Sequence, residues 1–198
     1  MWKQLIGMVL AITLGVGAAW FGVQWNLSQN KATNAQVLLP EGGDFTLQGK
    51  NGAVKLADFR GKVVVLYFGY TSCPDVCPTS MAKLKAALAL LKPEEVQQIQ
   101  GMLISVDPER DKLDQLQAYA SYFHPNILGA TGSPDEVRKV AQQYSVLYRK
   151  VPMPGSALGY SVDHSSLLYV IDKQGKLQAE LNHATTPQEV ADALRRWL

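Results

Sequence analysis

VVVLYFGYTSCPDVCP, residues Val63 to Pro78, passes from an apolar run through a loop with two cysteines toward a helix. Val63 to Gly69 is continuously β-branched and aromatic apart from its closing glycine. That composition suits a strand buried on both faces. Cys73 and Cys77 follow, flanked by Pro74 and Pro78, which stiffen the loop and remove two backbone donors. From about Pro78 to Leu91, Met81, Leu84, Leu88 and Leu91 recur at helical spacing.

Reading outward, Phe45 and Leu47 alternate with polar neighbours. A Gly49–Gly52 turn follows, and Val54 and Leu56 alternate again, as in a hairpin. Downstream, Met102 to Val106 is a second buried strand and Leu113 to Phe123 an amphipathic helix. Ser133 begins a helix that runs to about Tyr144, with a cap, a proline and acids in its first turn. Val146 to Val151 suits a strand, and the residues from Pro152 onward read as loop. Leu167 to Ile171 and Lys176 to Leu181 flank a turn at Asp172–Gly175, and Thr186-Pro187 starts a last helix through Trp197. Strands alternating with helices before a closing hairpin and helix predict an α/β fold around a mixed sheet.

Leu5 to Val23 carries no charge and has the length of a membrane-spanning helix. Trp20, Phe21 and Trp25 fall where an interfacial belt would lie, and Lys3 keeps the N-terminus in the cytoplasm. The expected order is a cytoplasmic N-terminus (1–4), a transmembrane anchor (5–23), a polar linker (24–40) and one domain (41–198). The competing reading is a cleaved signal peptide, but the apolar run is longer than a usual signal core. No cysteine follows that could carry a lipid. A bacterial inner membrane, with the domain in the periplasm, is the simplest expectation. The net charge is +2, and from Glu41 onward 17 acids meet 17 bases, so no nucleic-acid partner is expected.

Two cysteines do not make a disulfide scaffold. Their i, i+4 spacing at a strand-to-helix junction can turn both sulfurs to one point, and a helix beginning near Cys77 favours a thiolate there. Two soft thiolates suit Cu(I), whereas zinc usually takes four ligands. The C-x-x-C-H pattern of a c-type haem is absent. On spacing alone, a redox dithiol and a metal site weigh evenly. Of three histidines, His124 reads as a cap or surface residue and His183 as a solvated one. His164 lies just before an apolar strand.

YFGYTSCPDVCP (Tyr67–Pro78), ISVDPERD (Ile104–Asp111) and VDHS (Val162–Ser165) together resemble the Sco/SenC family of copper-binding proteins. The likeness spans the chain from about Glu41 to its end. It implies a thioredoxin-like fold and a copper site of two cysteines and one histidine, falling on Cys73, Cys77 and His164. Cu(I) is favoured and Cu(II) is possible. Asp163 would be an electrostatic neighbour of the site or a loop cap. Asp107, Glu109, Arg110 and Asp111 would shape the turn after their strand, and Met153 would pack. The implied role is that of a metallochaperone, with the copper-site subunit of cytochrome c oxidase as client and a periplasmic copper donor. The alternative is a membrane-anchored thiol–disulfide reductase, because the same thiols suit exchange.

Overall fold

The computed structural model describes residues 39–198. The expected anchor, 5–23, and most of the expected linker lie outside the described residues. Among the described residues no helix is long and apolar enough to cross a membrane.

The apolar run from Val63 becomes β3 (Val63–Gly69), with all seven residues buried. It lies inside a seven-stranded mixed sheet ordered β2-β1-β5-β4-β3-β8-β9. β1 (Thr46–Gly49) and β2 (Gly52–Lys55) form the expected hairpin at one edge. β3, β4 (Ile99–Ser105) and β5 (Ile127–Thr131) run parallel, while β8 (Leu168–Ile171) and β9 (Leu177–Leu181) close the other edge antiparallel.

The helices are α1 (Val76–Ala89), α2 (Pro93–Gln97), α3 (Leu113–Phe123), α4 (Pro134–Gln143) and α5 (Pro187–Arg195). α1 packs against α3 and α5 on one face of the sheet. On the other face Tyr144, the C-cap of α4, meets the rings of Phe68 and Tyr169. Successive β3 residues point to opposite faces, so Phe68 serves that layer and Tyr67 faces α1. Ser133 and Thr186 cap α4 and α5 as expected, each accepting from the backbone N–H of a glutamate three residues on.

Two elements fall outside the sequence expectations, and one expectation needs correction. Ile127–Thr131 is a full strand of the sheet that the sequence reading did not single out. Gly129 in it allows α3 to approach closely, because a Cβ there would stand 2.9 Å from the Leu116 carbonyl oxygen. Pro93–Gln97 is a short helix that was also not foreseen. Finally, Tyr160–His164 is not loop but β7, which pairs with β6 (Tyr148–Pro152) in a separate two-stranded sheet. That hairpin hydrogen-bonds its own partner strand and none of the seven strands of the main sheet.

Candidate metal centre

β3 ends at Gly69, and the chain turns through Thr71 and Cys73 into α1. Asp75 is the N-cap, so Cys77 lies in the first turn. Asp111, buried after β4, holds this loop from behind. It accepts from the Thr71 N–H at 3.0 Å, the Thr71 hydroxyl at 2.6 Å and the Ser105 hydroxyl at 2.6 Å. Gly69 keeps room for the sulfur, since a Cβ there would lie 2.8 Å from the Tyr67 ring and 3.0 Å from Cys77 Sγ. Cys73 is half-buried and Cys77 buried, both as free thiols.

His164 arrives from the opposite direction, at the last position of β7. Its Nε2 is 3.2 Å from Cys77 Sγ. Its Nδ1 is 3.1 Å from the Ser165 carbonyl oxygen. A carbonyl only accepts, so the tautomer assigned from this contact places the proton on Nδ1 and leaves the Nε2 lone pair toward the sulfurs. Tyr67 and Tyr70 stand edge-on to the imidazole, with ring centroids 6.0 and 5.9 Å away. The Tyr70 hydroxyl accepts from the Val162 N–H at 3.2 Å, tying β7 to the dithiol loop.

Cys73 Sγ, Cys77 Sγ and a His164 ring nitrogen all lie within 4.8 Å of one another. The three sequence candidates therefore converge on one point, with donor types suited to a soft metal ion. The electrostatics divide the two thiols. The hydrogen bond from the Cys77 thiol, then those from the Asp75 and Cys77 N–H groups, push the Cys73 pKa far below the usual thiol range, against burial. The hydrogen bond to Cys73, then burial, pushes Cys77 upward. The thiolate is thus Cys73, whereas the sequence reading placed it at Cys77. The reason is local: the Cys77 N–H, at the open end of α1, points at Cys73 Sγ from 3.4 Å.

The other sequence candidates are not drawn into the cluster. Asp163 pairs with Arg149 across the hairpin at 3.1 Å. Met153 follows the tip-end pair Pro152–Tyr160, at the other end of the hairpin from the Tyr148–His164 pair. The His124 Nδ1 accepts from the Asn126 N–H at 3.1 Å beyond the end of α3, and His183 is exposed in a turn. Tyr70, Asp111 and the Asp107–Arg110 pair (described below) went unrecognised as supports. All four lie inside the quoted motifs, which is the one signal that pointed toward them.

The SCO1/SenC family model matches residues 33–198. The chain belongs to the SCO1/SenC family. A SCO2-like protein of Rickettsia conorii is 33% identical over 194 residues, covering 95% of this chain and 94% of that protein. The copper-bound ScoI of Bradyrhizobium japonicum superposes with a TM-score of 0.71 at 39% identity, covering 80% of this chain and 99% of that one. Apo Sco1 of Thermus thermophilus gives 0.72 at 41% identity, covering 81% and 94%. BsSco, described for a disulfide switch and as a member of the Sco family of cytochrome c oxidase assembly proteins, gives 0.62 at 27%, covering 80% and 94%. The mixed sheet with its flanking helices is thus the thioredoxin-like Sco fold.

Proposed function

We propose that this SCO1/SenC protein is a copper metallochaperone that carries one Cu(I) on Cys73, Cys77 and His164 and delivers it to the copper-site subunit of cytochrome c oxidase. The observation that carries this reading is the convergence of two sulfurs and a bare imidazole nitrogen within 4.8 Å, in a family whose Bradyrhizobium japonicum member holds copper. Three ligands leave a coordination position open, so an incoming thiolate or imidazole can bind before the first ligands let go. Copper then passes between proteins without release into water. Cu(II) is the less favoured cargo, since the sulfur-rich donor set prefers the softer ion. The N-terminal run 5–23 anchors the chain in a bacterial inner membrane, the linker 24–40 spans the gap, and the domain 41–198 works in the periplasm, where a copper donor loads it.

A thiol–disulfide reductase is the second reading. The observation that favours it is the unequal pair: a half-exposed thiolate at Cys73 beside a buried thiol at Cys77. Thiolate attack by Cys73 on a client disulfide forms a mixed disulfide. Cys77 then attacks Cys73 Sγ, releasing the client's second thiolate and leaving this chain oxidised.

Metal analysis of anaerobically purified full-length protein tests the first reading. One Cu(I) per reduced chain and none after oxidation of the pair is the expected result, because a disulfide sulfur is a poor ligand. Equal copper in the oxidised and reduced forms would overturn it.

A further inference from the structure

The hairpin that carries His164 is fastened to the body at its far end. Asp107 is fully buried behind β4, and its carboxylate is shared between two partners. It pairs with Arg110 Nε and accepts from the Tyr160 hydroxyl at 2.8 Å. The Arg110 guanidinium lies over the Tyr160 ring, 3.8 Å from the centroid, with the Tyr70 ring 5.6 Å away. Arg110 Nη1 donates to the carbonyls of Tyr160 at 2.8 Å and Leu158 at 3.2 Å. Lys150, paired with Glu109 at 2.6 Å, covers the same tyrosine from the β6 side.

A two-stranded hairpin outside the main sheet is marginal alone and needs tertiary contacts to hold one position. Four residue steps of extended chain, about 13 Å, separate Tyr160 from His164. A strand transmits displacement along its length, so what fixes Tyr160 fixes the imidazole. Tyr70 adds a second connection, because it faces Arg110 and His164 and holds the Val162 N–H.

We infer that Arg110 is a positioning residue for the metal centre: by clamping Tyr160 to Asp107 it sets the distance at which His164 meets the two sulfurs. The inference rests on the copper reading above and adds that ligand geometry is set from the loop after β4, with no contact between Arg110 and the metal. Lysine cannot replace the arginine, since it lacks the planar fork that serves a carboxylate and carbonyls together and the flat face that stacks on a ring.

The test is a double-mutant cycle on the full-length chain, with Cu(I) affinity read by chelator competition. Arg110→Lys is made alone and with His164→Ala. Support for a ligand typically carries 10–100-fold in affinity, so Arg110→Lys should weaken Cu(I) binding about 10-fold. In the His164→Ala background it should weaken binding no further, because there is no imidazole left to position. Tyr160→Phe keeps the ring over the guanidinium and removes only the bond to Asp107. It gives a milder version of the same cycle if Arg110→Lys does not fold. An equal loss in both backgrounds, or no loss in either, overturns the clamp while leaving the three-ligand site standing. Wild-type affinity in His164→Ala itself overturns the three-ligand site first, and the clamp with it.

Discussion

The dithiol and the imidazole come from regions of different construction. Cys73 and Cys77 sit where the central strand β3 meets α1. Seven buried residues lie behind them, and the buried Asp111 carboxylate ties Thr71 down. His164 sits on a hairpin whose β6 residues are exposed or half-buried and whose strands pair, as strands, only with each other. One half of the centre is therefore as stable as the core. The other is fixed by a few side-chain contacts and belongs to the part of a structure that opens at lower free energy. For the copper carrier proposed above, which would have to take up copper and release it, this division has a use. On that proposal the sulfurs would hold the ion, and the imidazole would be the ligand that leaves and returns.

If that division is right, serine at either cysteine gives the largest effect. Cys73→Ser or Cys77→Ser should abolish retention of Cu(I), because a hydroxyl is a hard, neutral donor in place of a soft thiolate. Metal analysis after desalting checks this. In the core half, Leu66 in β3 is fully buried. Leu66→Ala should cost about 2–5 kcal/mol of unfolding free energy in denaturant titrations, the usual cost of such a cavity.

The split between the thiols predicts a pH slope. Cys73 is held well below the usual thiol range, so it is already deprotonated at neutral pH, whereas Cys77 is held above it. Copper binding must displace the Cys77 proton, and binding therefore weakens as pH falls. One proton corresponds to about a tenfold change in affinity per pH unit, against about a hundredfold for two ordinary protonated thiols of pKa about 8.5. Chelator competition between pH 6 and 8, taken as roughly the usable range, distinguishes these slopes. The smallest effect is expected on the hairpin surface. Leu147 is 78% exposed, and Leu147→Ser should change stability by no more than about 0.5 kcal/mol.

The same division decides what could be read from the sequence. β3 was legible because burial on both faces demands an unbroken apolar run, and the starts of α4 and α5 because Ser133 and Thr186 each stand directly before a proline. The two sulfurs were legible as a pair from their spacing. β5 was missed because its core reads Gly129-Ala130, small residues whose value lies in how closely α3 approaches. β7 was missed because the alternation in YSVDH is only five residues long and follows the Pro- and Gly-rich loop 152–159, its partner being a hairpin arm and not the core. His164 emerged only through its resemblance to family members, since nothing in a lone histidine 87 residues from Cys77 marks it as a neighbour. The contact of Arg110 with Tyr160, 50 residues on, leaves no local pattern at all.

His164→Ala tests the three-ligand centre most directly. The variant keeps both thiols and the whole of the core half, so its cysteine pair should still oxidise to a disulfide. Its Cu(I) affinity, measured by chelator competition beside wild type, should fall at least about 10–100-fold, the scale that even supporting residues of a metal site carry. A variant that forms the disulfide and binds Cu(I) as tightly as wild type would contradict the account, and would leave the dithiol alone as the metal site.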